Sequence, residues 1–118
     1  MRNDTRIPLA LLPEPEALPA WLALGGPAAL LTDLPTPPEG SAVTERFSAD
    51  RHRIGCACCG GRSPAALALD RLYQARVRGR SAWFDRAAAL LSPAGRDQLR
   101  EAMETDVLTR ARFRPDEA

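Results

Sequence analysis

The chain has 118 residues and a mass of 12.8 kDa, which bounds it to one small domain over 1–118 with a single modest core. It is 45% hydrophobic and 26% charged, and a net charge of +1 makes no case for nucleic acid or a membrane surface as partner. All 16 basic residues are arginine and His52 is the only histidine, which excludes a lysine phosphate clamp, Schiff-base chemistry and multi-histidine metal centres.

In chain order, Arg6–Leu12 reads as a short buried strand. Glu14-Pro15-Glu16 opens a helix in which Leu18, Trp21 and Leu22 share a face, and Gly25-Gly26 stops it. Ala28–Thr32 reads as a second buried strand. The connection 33–42 holds Pro35-Thr36-Pro37-Pro38-Glu39-Gly40 and is a loop, because three prolines remove three backbone donors. Ser41–Ile54 alternates imperfectly and predicts one or two strands around the Ser48-Ala49-Asp50 bend. Ser63-Pro64 is a cap followed by proline at the first helical position. The helix it starts runs to about Arg78, with Ala66, Leu69, Tyr73 and Val77 as its buried stripe and Leu72 alongside. Ala82–Leu91 fits either a strand or a helix: its alanines favour the helix, its place after one favours a strand. Ser92-Pro93 repeats the cap signal, and Leu99, Ala102, Met103 and Val107 form a second helical stripe. Trp21, Tyr73, Trp83 and Phe84 read as core anchors. Strands alternating with helices predict an α/β fold, a three-layer-like domain with a mainly parallel sheet flanked by helices.

Cys56, Cys58 and Cys59 fall in the run Gly55-Cys56-Ala57-Cys58-Cys59-Gly60-Gly61-Arg62. An odd number so closely spaced is no disulfide framework and suits a reducing compartment. No window reaches the ~18 apolar residues of a membrane span, and the N-terminal apolar run is too short for a signal peptide, so a cytoplasmic location is expected. The flanking glycines permit the positive φ angles that let three thiols converge. Three thiolates at roughly 2.3 Å suit Zn²⁺ and leave one position for a further ligand, and their softness also suits Cu⁺. Arg51, Arg53 and Arg62, with the N-terminus of the following helix, are expected to lower the thiol pKa values. His52 is an independent candidate ligand, although four extended residues cover roughly 13 Å, so the chain must fold back to use it. The plainer alternative is that the cysteines pack as small hydrophobes.

This turn and the landmarks after it resemble the CobW-type metallochaperone GTPases, a branch of the P-loop GTPases. The match is best over 54–116: Cys56-Ala57-Cys58-Cys59, Arg62, the helix from Ser63, Gly79, Phe84-Asp85-Arg86 and Phe113-Arg114-Pro115-Asp116. The resemblance implies a partial P-loop GTPase core in which Cys56, Cys58 and Cys59 bind metal. It also implies a carboxylate from the loop after the second strand, where Asp33 sits nearest the expected place. The nucleotide machinery is a different matter. Where the family has its Gly-Lys-Ser/Thr loop, this chain has Leu12-Pro13-Glu14-Pro15-Glu16, and its Glu-Thr-Thr/Ser-Gly turn is replaced by Leu90-Leu91-Ser92-Pro93. The base-recognition motif and the C-terminal domain are also expected to be missing.

The expectation is therefore a non-enzymatic metal chaperone or buffer holding Zn²⁺, or Cu⁺ or Co²⁺, through Cys56, Cys58 and Cys59 with His52 or Asp33, and binding no nucleotide. Two other readings remain open: a non-catalytic partner of a complete CobW-type GTPase or of a metalloenzyme client, and a thiol redox sensor. The ten arginines between Asp70 and Arg114 face six carboxylates and read as solvated helix faces with pairs such as Asp97 and Arg100, not as a nucleic-acid patch.

Overall fold

Ala28–Thr32 is buried at all five positions, as a strand covered on both faces must be. It is β2 of a five-stranded sheet with β1 (Ile7–Leu11), β3 (Val43–Arg46), β4 (Arg86–Leu90) and β5 (Phe113–Asp116), in the order β3-β2-β4-β1-β5. Every pairing is parallel, with Leu9 opposite Ala87, Leu30 opposite Ala88, Ala29 opposite Val43 and Ile7 opposite Phe113. This computed structural model describes residues 5–36, 40, 43–49 and 62–116. The α/β class and the parallel sheet predicted from the sequence are what it shows.

Helices α1 (Leu18–Leu22), α2 (Pro64–Val77), α3 (Pro93–Thr105) and α4 (Val107–Arg112) cover the two faces unequally. Period-two alternation sorts the strand side chains. Ala10, Leu30, Ala88 and Leu90 face Leu18 and Trp21 of α1, whereas Leu9, Leu31, Ala87 and Ala89 face Leu69 and Leu72 of α2 and Leu99 of α3. The chain moves one way across the sheet from β1 to β2 and back from β3 to β4, and connections of one hand must then lie on opposite faces. Three consecutive alanines in the central β4 let helices approach from both sides, and the ambiguous stretch Ala82–Leu91 thereby resolves as a strand over Arg86–Leu90.

Four expectations need correction. The helix expected from Glu14 is a 3-10 turn at Pro15–Ala17 followed by the five-residue α1. Pro19 has no N–H to donate to Pro15, so Leu18 N–H takes that carbonyl in the tighter bond. The stripe ending in Val107 is broken by Asp106, whose extended backbone (φ −84°, ψ 115°) caps α4 and leaves Val107 76% exposed. Val77 is likewise exposed at the end of α2, and Trp83 is 59% exposed while its neighbour Phe84 is fully buried. Phe113–Asp116, for which the sequence predicted no element, is an edge strand, a place where Pro115 is tolerated because no outer neighbour needs its N–H.

Candidate functional site

In an open parallel sheet, ligands bind beyond the carboxyl ends of the strands. Four loops of this chain leave that edge: Leu12–Glu14 after β1, Asp33 onward after β2, Phe47–Ala49 after β3, and Leu91-Ser92 after β4. The third leads into 50–61, which contains His52, Cys56, Cys58 and Cys59 and lies outside the described residues. The structure describes both stems of that segment, and Gln98 of α3 joins them. Its Nε2 donates to the Ala49 carbonyl at 2.6 Å and its Oε1 accepts from Ala65 N–H at 3.2 Å. Gln98 is buried, and a buried amide bonded on both sides holds its partners more firmly than the same contact in water.

The returning stem is held a second time. Asp106 accepts from Arg62 Nε at 3.0 Å and from Arg62 Nη2 at 2.9 Å, a bidentate pair. The same carboxylate caps α4, accepting from Thr109 N–H at 3.0 Å and Thr109 Oγ1 at 2.7 Å. Arg62 also lies 3.6 Å from Asp70, which in turn binds Arg112. The hydrogen bonds from Arg62 hold the Asp106 pKa below the usual carboxylate value, and those to Asp106 raise that of Arg62 above its own. Arg62 is thus paired with carboxylates of its own; the thiols whose pKa values it is expected to lower lie outside the described residues. A cavity of about 200 Å³ opens beside this pair, between Ser63 and Thr105. Ser63 itself caps α2 by accepting from Ala66 N–H at 3.1 Å.

Asp33, at the end of β2, is placed on the start of α3. Its Oδ1 accepts from Ser92 N–H at 2.8 Å and its Oδ2 from Ser92 Oγ, which accepts from Gly95 N–H at 3.1 Å. A Cβ at position 95 would come within 2.6 Å of Asp33 Oδ2, so glycine is what lets the carboxylate reach the helix start. Thr32 fixes the same corner, donating to the Leu90 carbonyl at 2.8 Å and accepting from Leu34 N–H at 3.1 Å. Each oxygen of Asp33 retains a lone pair, so its chemistry still fits a hard or borderline cation. Among the described residues no three His, Cys, Asp or Glu side chains converge as a metal site.

The loop after β1 is built without glycine. Leu12 is buried and its N–H donates to the Ala89 carbonyl at 3.0 Å, while Arg96 Nη2 donates to the Pro13 carbonyl at 2.9 Å. Glu14 and Glu16 are exposed. Gln98 and Asp106 carry no motif in the sequence; Gln98 is revealed by Ala49 and Ala65 and Asp106 chiefly by Arg62, all distant in the chain. No family model, curated protein or solved structure matches the chain. Among the described residues no helix is long and apolar enough to cross a membrane.

Proposed function

We propose that the chain is a thiolate metal-binding protein, a chaperone or buffer for Zn²⁺ with Cu⁺ or Co²⁺ as alternative cargo, related to the CobW-type proteins and without GTPase activity. The observation that carries the reading is the Gln98 bridge between Ala49 and Ala65. It closes the cysteine-bearing segment at its base, at the edge of the sheet where α/β folds place ligands. A loop already closed at its base has lost part of the entropy that metal binding would otherwise have to remove. Thiolates of Cys56, Cys58 and Cys59 form the donor set, with His52 or Asp33 completing it, and such a set prefers soft and borderline cations. The proline-rich turn at Pro13–Ala17 and the absence of lysine support the non-enzymatic half, since two prolines remove amide donors, two glutamates repel an anion and no ammonium is offered to a phosphate there.

Titration of the reduced chain with Co²⁺ under argon tests the reading. The expected result is intense sulfur-to-metal charge transfer in the near ultraviolet with strong tetrahedral bands in the visible. The bands should be displaced by Zn²⁺ and lost in Cys56→Ser, Cys58→Ser and Cys59→Ser. No charge transfer, with all three thiols still fully titratable, overturns it.

A further inference from the structure

A second groove lies at the opposite edge of the sheet, where the amino ends of β1, β4 and β5 begin. Its volume is about 240 Å³, and it is walled by Arg6 before β1, Tyr73 and Arg76 in the last turns of α2, Trp83 before β4, and Arg112 before β5. Three guanidinium groups line it, and among the described residues no carboxylate does.

The three arginines are not equally committed. Arg112 is bound to Asp70 and lies 4.4 Å from the centre of the Tyr73 ring. Arg6 donates to the Arg110 carbonyl at 3.3 Å. Arg76 lies 3.9 Å from the Trp83 ring centre and 5.4 Å from that of Phe84, and its buried Nε meets no acceptor among the described residues. Arg86 and Arg96 share a buried unbonded Nε, but their outer nitrogens donate to the carbonyls of Trp21 and Leu22 and of Pro13. Arg76 has aromatic faces in place of such carbonyls. Burial accordingly pulls its pKa down, with only weaker opposing effects from Tyr73 and Asp85. An oxygen acceptor brought into the groove would relieve that cost.

Size and shape narrow the class. The Arg76 cation, set against aromatic faces instead of acceptors, suits an oxyanion, and a phosphate monoester carries roughly −1.5 to −2 near pH 7. Guanidinium groups bind such oxygens through paired donors. Trp83 and Val77, 59% and 60% exposed, offer apolar surface beside the cations, as a flat ring requires. We propose that this groove is a binding site for a phosphate monoester carrying a planar ring, of the size of a nucleoside monophosphate, with the phosphate on Arg76 and the ring against Trp83. The groove lies at the edge of the sheet opposite the described stems of the cysteine segment.

Equilibrium dialysis of the full chain against adenosine monophosphate tests this, with adenosine and inorganic phosphate as separate arms. Saturable binding is expected, weakened about tenfold or more by Arg76→Gln, the scale of one lost charge-assisted hydrogen bond. Arg78→Gln, just beyond α2 and outside the groove, should leave it unchanged. Trp83→Ala should reduce the affinity for the nucleotide toward that for phosphate. Circular dichroism checks the fold of each variant, and Arg76→Lys, which keeps the charge, provides a milder second test with intermediate affinity expected. Linear uptake of the nucleotide overturns the site, as does equal binding by the Arg76 and Arg78 variants. Inorganic phosphate binding as tightly as the nucleotide overturns the ring assignment. If Arg76 only offsets the α2 dipole, Arg76→Gln lowers the melting temperature and leaves dialysis unchanged, which also overturns it.

Discussion

Asp106 joins three parts of the molecule through one carboxylate: the stem at Arg62, the cap of α4 at Thr109, and the break after α3. Its pKa is lowered chiefly by Arg62, so the folded state favours the ionised form. The stabilisation is fully present above the unfolded carboxylate pKa of about 3.9 and is lost as pH falls through the lower folded value. Asp106→Asn keeps a capping oxygen but not the charge. It should cost about 1–2 kcal/mol at pH 7, and its stability should converge on that of the parent as the acid limb is descended. Urea titrations of both proteins from pH 7 to about pH 2.5 check this; parallel curves would mean that the ion pair contributes nothing. Arg62 moves the other way, its raised pKa placing any loss far above neutrality.

At the scale of elements, α3 ties the functional edge together. Its start takes Asp33 through Ser92, and its middle carries Gln98. Gln98→Ala would leave the Ala65 N–H and Ala49 carbonyl unbonded, at about 1–3 kcal/mol of stability. If the bridge organises the cysteine segment, the same variant should also bind Co²⁺ several-fold more weakly while keeping its charge-transfer bands. Affinity equal to the parent's, with the stability loss intact, would make Gln98 purely structural. The cap-and-proline pairs at Ser63-Pro64 and Ser92-Pro93 set these helix starts from local sequence alone, as the bonds from Ala66 and Gly95 show. The ends were less legible. Val77 and Val107 continue an apolar spacing that the chain does not bury, because α2 reaches the rim of the sheet and α3 is stopped by Asp106.

For the molecule as a whole, two apolar clusters hold the sheet from its two faces, and both stems of the cysteine segment stand at one edge of it. On the proposed function, zinc held by the cysteines would stabilise the fold by mass action, about 2.7 kcal/mol at a free concentration one hundred times Kd. The urea midpoint should therefore rise with Zn²⁺ and fall back with a chelator. The change should vanish in the triple Cys56→Ser, Cys58→Ser, Cys59→Ser variant. Because the sheet remains the cooperative unit, the slope of the transition should not change. A zinc-dependent midpoint that persists in the triple variant would place the metal elsewhere.

Composition and periodicity alone determined the α/β class, the buried strands read at Arg6–Leu12 and Ala28–Thr32, the two proline-started helices and the cluster of thiols, since each of these depends on residues that are neighbours in the chain. Only the tertiary structure decided that the stretch Ala82–Leu91 holds a strand, Arg86–Leu90, that Asp33 serves Ser92, and that Gln98 and Asp106 hold the stems. Those outcomes rest on partners between 3 and 59 positions away, mostly too far for local spacing to encode. The groove of Arg76 and Trp83 belongs to the same class: helix α2, the loop before β4 and the end of α4 meet there only once the parallel sheet has set the order of its strands.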